Sequence, residues 1–468
     1  MSEPLSIIIL AAGEGSRMHS RVPKVLHPVG PCSMLAHVVT TARSLDPTAI
    51  HVVHGHSGET VRAAMADVDA ADSPALTWVR QEEQLGTAHA VAQALPLVPD
   101  EHRVLVLYGD VPLVTCETLA RLDNAAADSG LAILTAHMTD PAGYGRILRD
   151  DSGYVAAIVE ERDATDTQRA IHETNTGMLG ARARELKDWL ARIGNDNAQG
   201  EYYLTDSVAL AVADGFAPAA VVTPDHREAS GVNNRVQLAE TEGIWRQRQA
   251  EALMLAGVTL RDPARVDVRG EVECGCDVVL DVGVVIEGRV ELGDGVHVGP
   301  YTVLRDCRLS AGTVVEGHCV IEGATTGGGA SVGPFARLRP GASLDESAKV
   351  GNFVEVKASH IGRGSKVNHL AYIGDTRMGQ DVNIGAGTIT CNYDGANKHA
   401  TTIGDDVFVG SDCQLVAPVD IGDGATIGAG TTLTRDAPAG QLTLSRTKAR
   451  TLADWKRPEK TGGNGKGD

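Results

Sequence analysis

The chain is short of aromatic residues, of positive charge, of paired cysteines and of long apolar runs. Phe 4, Trp 4 and Tyr 8 make up 3% of 468 residues, although 43% of the chain is apolar and glycine reaches 53. Its cores must be filled with small and branched side chains, and its chain must turn often on glycine. Lys and Arg number 42 against 61 Asp and Glu, a formal net charge of −19. That balance argues against a general nucleic-acid or anionic-membrane surface but leaves room for a local basic pocket. No apolar run approaches the roughly 20 residues that cross a bilayer, so no membrane insertion is expected. Residues 1–10 lack the basic start and cleavage site of a secretory signal. The eight cysteines form no C-x-x-C pair and no framework spacing, which points to free thiols in a reducing cytoplasm. Cys274 and Cys276 read better as alternating residues on a strand than as half of a metal site.

What is present divides into two textures. A length of 468 residues suggests two or three domains. Over residues 5–225, short apolar runs (6–11, 50–54, 104–107, 131–136, 219–223) alternate with helical stretches (33–44, 57–68, 88–94, 116–129). This order predicts βαβ units, hence an α/β, Rossmann-like N-terminal domain with a mostly parallel sheet and ligands beyond the carboxyl ends of its strands. Residues 235–255 hold no Pro and one Gly, Gly243, in a window rich in Gln, Glu, Ala, Leu and Arg; they read as a linker helix. The expected division is therefore 1–234, a linker 235–257, a second domain 258–455, and a polar, Gly-rich, disordered tail 456–468.

After Pro263 a period of six takes over. Steps of six from Val266 to Val356 visit 16 positions, of which 13 are Val or Leu; Thr302, Arg308 and Thr326 are the exceptions. The pattern resumes at Ile361, Val367 and Ile373, and again from Ile403 to Leu433. Such hexads build a parallel β-helix, with about 18 residues per coil and coils stacked about 4.8 Å apart, nine coils in all. Residues 390–400 (TCNYDGANKHA) break the period and should loop out of the prism.

Several motifs carry chemistry. Leu10-Ala11-Ala12-Gly13-Glu14-Gly15-Ser16-Arg17-Met18 follows the first strand, and Pro23-Lys24 comes soon after. Glycines there let backbone N–H groups approach phosphate oxygens, while Arg17 and Lys24 add positive charge; the dinucleotide G-x-G-x-x-G pattern is absent. Tyr108-Gly109-Asp110 puts a carboxylate at a strand end, suited to Mg²⁺. The pattern L-A-A-G-x-G-[ST]-R-M followed by P-K resembles the signature of the sugar-1-phosphate nucleotidylyltransferases. Gln81 with Leu85-Gly86-Thr87-Ala88, then Gly143-Tyr144-Gly145-Arg146, Val159-Glu160, Asn175-Thr176-Gly177, residues 201–206 (EYYLTD) and Gly231-Val232-Asn233-Asn234 match in order.

Both halves are similar to the bacterial family of bifunctional N-acetylglucosamine-1-phosphate uridylyltransferases and glucosamine-1-phosphate acetyltransferases, over residues 5–446. The resemblance implies a left-handed β-helix, a homotrimer, and Mg²⁺ on Asp110 and Asn233. It implies that Leu10, Ala11, Ala12, Gly13, Gln81, Gly86 and Thr87, with Tyr108 and Gly109, bind the nucleotide. The amino sugar would lie against Gly145, Glu160 and Asn175, and Arg17 and Lys24 would neutralise the phosphates during uridylyl transfer from UTP to N-acetylglucosamine-1-phosphate. Glu14 is given no binding role.

In the repeat half, His369 stands among Arg339, Lys357, Tyr372 and Asn392, a set suited to a phosphorylated amine. Acylation of an amine by a thioester needs a base that works near pH 7, and His is the natural one. The resemblance implies His369 as that base, with Arg339, Lys357, Tyr372 and Asn383 around glucosamine-1-phosphate. It completes the site with Asn392 and Tyr393, and lays acetyl-CoA along Ala386, Ser411, Ala429 and Arg446. Glu355 is the expected orienting group for the histidine. The product would feed peptidoglycan and outer-membrane lipid precursors. Two rivals are weighed: an interaction protein of the same fold, which would lose the Arg17, Lys24 and Asp110 set, and a single-activity nucleotidylyltransferase, which would lack the polar cluster around His369.

Overall fold

The computed structural model describes residues 3–13, 15–445 and 448–458. Glu14, Arg446 and most of the Gly-rich tail therefore lie outside the described residues. Two compact units are divided between Ala252 and Leu253.

In the first unit the apolar runs form a nine-stranded sheet. Its main path runs Ala219–Val222, Leu131–His137, Glu173–Arg182, Arg103–Tyr108, Leu5–Ala11, Ala49–His54, Leu76–Arg80. Neighbours are parallel except at Glu173–Arg182, which is antiparallel to both of its partners. The central strand Leu5–Ala11 is buried along its whole length. Its side chains serve two cores: Ile7 and Ile9 pack with Leu35, Val38 and Leu105, and Ile8 and Leu10 with Val91, Val106 and Trp189. Burial on both faces is why this strand is a continuous apolar run instead of an alternating one.

The apolar runs do not reveal four strands. Leu76–Arg80 is half polar, and the hairpin of Arg146–Arg149 and Val155–Val159 lies off the main path. Glu173–Arg182 carries Asn175-Thr176-Gly177 at a register shift between Asn175 and Leu179. The 21-residue helix Arg235–Leu255 lies almost wholly in the first unit. Trp245 meets His37 edge-on at 4.6 Å between ring centroids, and Glu242 accepts the Gly30 N–H at 2.8 Å.

The second unit is a parallel β-helix. One face is an eleven-stranded ladder, and a seventeen-stranded ribbon wraps the other faces. Eleven rungs replace the nine expected from the hexads, because Thr259–Leu260 adds one before the clear repeat and Leu442–Thr443 one after it. Most coils take 18 residues (Asp267↔Val285) or 17 (Val303↔Val320).

The shorter coils correct the reading of the six-residue column. The inward positions step five residues, not six, from Leu304 to Leu309 and from Ile321 to Thr326, and all four are buried. A fixed step of six therefore starts on one inward position, passes through outward ones, and lands on the other. Arg308 and Val314 are exposed. Thr302 and Thr326, apparent exceptions, are buried inside, where Thr326 Oγ1 lies 2.9 Å from Thr313 Oγ1. The insert also begins later than expected: Ile389–Cys391 is still a strand with Thr390 fully buried, Asn392 is buried as well, and the exposed run starts at Tyr393.

The few large rings sit outside the prism. Tyr301, His318, Phe335 and Phe353 stack along one corner with centroids 5.3, 4.9 and 5.2 Å apart. Each has a positive φ, as does Leu370 on the next coil. Left-handed backbone costs a non-glycine residue about 1–2 kcal/mol, which the stacked ring contacts offset.

Candidate active sites

Register brings the first site together. Leu10 pairs with Tyr108 in the parallel ladder, so the loops that follow the two strands leave the sheet side by side. Gly15, at φ 64°, lets the first loop close on Lys24: a Cβ there would lie 2.6 Å from that of Lys24. Gly86, at φ 114°, has the Tyr202 carbonyl where a Cβ would stand, and this fixes the loop before the helix Thr87–Ala94. The result is a cavity of about 330 Å³ lined by Leu10, Ala11, Ala12, Gly13, Lys24, Gln81, Gly86, Thr87, Tyr108 and Asp110. Gly109 hydrogen-bonds through its N–H to Leu10 O at 2.9 Å.

Within it, Lys24 Nζ forms an ion pair with Asp110 and donates to Asn233 Oδ1 at 3.2 Å, and Arg17 donates to the same Asn233 oxygen at 3.2 Å. Both expected metal ligands thus converge on one cation. A carboxylate and an amide oxygen are hard donors that suit a divalent ion whose remaining positions come from phosphate and water. Among the described residues no group of three or more His, Cys, Asp or Glu could hold a metal ion.

Gly145, Glu160 and Asn175 form an adjoining group. Asn175 N–H donates to Gly145 O at 2.8 Å, and a Cβ on Gly145 would lie 3.4 Å from a Glu160 oxygen. Thr205 donates to Glu160 at 3.1 Å, yet burial still pushes the Glu160 carboxyl above its ordinary range. Tyr108 joins the two groups. Burial first, then the charges of Glu160 and Asp110, push its phenol up, so it stays neutral. Sequence reasoning missed Gln84, which lines the cavity and donates to Ala12 O at 2.6 Å. Its signal was available: a second amide side chain, beside Gln81, in the 81–87 loop.

The second site is built by coil stacking. Asn352 pairs with His369, and the registers 366↔383, 383↔408 and 408↔426 continue that column through Ala386, Ser411 and Ala429. His369 therefore stands at the foot of a strip of small side chains. The neighbouring corner column changes character at the same level, from Phe335, Phe353 and Leu370 to Gly387, Asp412 and Gly430.

Around the next corner, Arg339 pairs with Glu355 at 2.8 Å, and Lys357 bonds both oxygens of Asp375 at 3.2 and 3.1 Å. Asn392 Nδ2 donates to the same Asp375 carboxylate, and the Tyr372 hydroxyl and Asn392 flank Gly374. The Asp375 hydrogen bond holds the Lys357 ammonium above its usual value, and Lys398 of the insert comes up beside it. Tyr393 donates to Gly395 O at 2.6 Å and forms a bridge with Lys398.

The expectation for Glu355 changes here. Glu355 holds Arg339, and the group on His369 Nδ1 is Asn352 Oδ1, at 2.6 Å. The cations are not a bare positive pocket, since each is matched by a carboxylate. Asn383 lies over Lys366, three residues along the strand from the position above His369, with no hydrogen bond to the cluster among the described residues. Arg446 lies outside the described residues.

The comparisons agree with this architecture. A family model for the MobA-like NTP transferase domain matches residues 7–174, and one for the bacterial transferase hexapeptide matches residues 400–435. A relative named bifunctional protein GlmU, from Alkalilimnicola ehrlichii, is 59% identical over 100% of this chain and 99% of its own. Relatives of the same name from Stenotrophomonas maltophilia (55%) and Pseudomonas putida (54%) each cover 98% of this chain, and are themselves covered over 100% and 99%. Identity of this degree spans both units, so the chain belongs to the bifunctional GlmU family.

Proposed function

We propose that the chain makes UDP-N-acetylglucosamine in two steps at two sites, acetyl transfer in residues 258–455 and uridylyl transfer in residues 1–234. The observation that carries this reading is that each half holds its own chemically distinct cluster, Lys24–Asp110–Asn233 in one and His369 beneath its small-residue strip in the other.

In the first reaction glucosamine-1-phosphate lies against Arg339, Lys357 and Tyr372, and its neutral amine attacks the thioester carbonyl of acetyl-CoA. The C–N bond forms, the C–S bond breaks, and His369 takes the amine proton. In the second, a phosphate oxygen of N-acetylglucosamine-1-phosphate attacks the α-phosphorus of UTP and pyrophosphate leaves. Backbone N–H groups of the Leu10-to-Gly13 loop, with Lys24 and Arg17, hold the phosphates in line and neutralise their charge, so catalysis is by positioning and electrostatics. Mg²⁺ is the divalent ion we assign; Asp110 and Asn233 would hold it, and it would supply further neutralisation of the phosphates.

The active assembly we assign is a homotrimer. The position of Asn383 away from the Arg339 and Lys357 cluster supports a second site completed by a neighbouring subunit. Sedimentation should give three times 49.0 kDa. Eight free cysteines, and no helix of the described residues long and apolar enough to cross a membrane, support a cytoplasmic location. The test is incubation with glucosamine-1-phosphate, acetyl-CoA, UTP and Mg²⁺. UDP-N-acetylglucosamine should form, and omitting acetyl-CoA should stop it unless the acetylated sugar is supplied; formation without either would overturn the reading.

A further inference from the structure

The imidazole of His369 has one hydrogen-bond partner among the described residues, Asn352. Parallel pairing of Lys349–Asn352 with Lys366–His369 sets the two residues in register, so their side chains project from the same face of adjacent coils. The backbone just beyond them is pinned. Phe353 and Leu370 both turn the corner at positive φ, Leu370 N–H donates to Asn352 O at 3.1 Å, and Phe353 stacks on Phe335 at 5.2 Å. On the opposite side, the same register places Ala386, whose methyl group offers the ring no hydrogen bond. The ring is therefore held through Nδ1 alone.

An amide oxygen only accepts. With Asn352 Oδ1 at 2.6 Å, Nδ1 carries the ring proton and Nε2 keeps the lone pair. A proton acceptor for an amine needs that tautomer and a fixed direction. Resting on the assignment of His369 as the base, we propose that Asn352 is the positioning residue of acetyl transfer: it selects the Nδ1–H tautomer and aims Nε2 at the substrate amine. Its neutrality matters as well. A carboxylate at the same place would orient the ring equally but would also stabilise imidazolium by charge, and so retain the proton in competition with the amine.

The test uses the full-length enzyme with both activities measured. Asn352→Ala should lower kcat for acetyl transfer about 10- to 100-fold, with KM for both substrates nearly unchanged and uridylyl transfer intact. Asn352→Asp should recover most of kcat at alkaline pH and move the acidic limb of the pH–rate profile up by about one unit. A kcat within about twofold of wild type for the Ala variant, or an unshifted profile for the Asp variant, overturns the proposal. If the Ala variant fails to fold, the Asp profile alone decides. Unchanged acetylation by His369→Ala would instead remove the base itself, an outcome separate from the role of Asn352.

Discussion

Lys24 and Asp110, 86 residues apart in the chain, form a direct ion pair with their side chains only 11% and 16% exposed. The ammonium also reaches Asn233, so it rests where two oxygen donors of the uridylyl site converge. Binding of a divalent ion with UTP would let Lys24 leave the carboxylate for phosphate. Asp110→Asn keeps the size of the side chain but removes its charge. It should lower uridylyl transfer by about 10²–10³-fold while acetyl transfer stays at the wild-type rate. Separate assays of the two half-reactions check this, and parallel loss of both would point to misfolding.

Asp375 gathers Lys357 and Asn392 onto one carboxylate and so ties the coil to the insert. Without that charge Lys357 loses its ion-pair partner. Asp375→Asn should raise KM for glucosamine-1-phosphate by about tenfold, with a smaller effect on kcat and none on uridylyl transfer. An unchanged KM would show that Lys357 is positioned by other means.

Acid should weaken the first unit before the second. His27, His37 and His51 all lie in that unit, and burial, the largest cause for each, lowers them from the ordinary 6.5. For His51, neither ring nitrogen has a hydrogen-bond partner among the described residues. The unfolded chain then binds more protons than the folded one as pH falls through 6.5, so stability rises with pH across that window and is lost below it. Glu160 and Asp206, raised chiefly by burial, act with the opposite sign, toward the carboxylate range. Calorimetry between about pH 7.5 and 5.5 should show the transition of the first unit moving down more than that of the β-helix. Equal movement of both would contradict it.

The motifs of the first site were legible because most are short contiguous runs just beyond a strand end. Ten of the expected residues line a single cavity, since the Gly-rich turn leaves the central strand directly beside Asp110. The repeat half was legible as an architecture but not in its contacts. Asn352 gains meaning only from a 17-residue register, and faces of five residues at Leu309 and Thr326 disguise where that register slips. Glu355, expected beside the histidine, is turned by coil stacking toward Arg339. Glu173–Arg182 went unseen because its Asn-Thr-Gly segment carries a bulge and not an apolar run.

The central claim is that one chain holds two independent transferase sites, and the most direct measurement is product formation by His369→Ala. Given glucosamine-1-phosphate, acetyl-CoA, UTP and Mg²⁺, this variant should form UDP-N-acetylglucosamine at least about 100-fold more slowly than wild type. Given N-acetylglucosamine-1-phosphate instead, it should form it at the wild-type rate. Wild-type acetylation by the variant, or loss of the second reaction together with the first in a folded protein, would contradict the account.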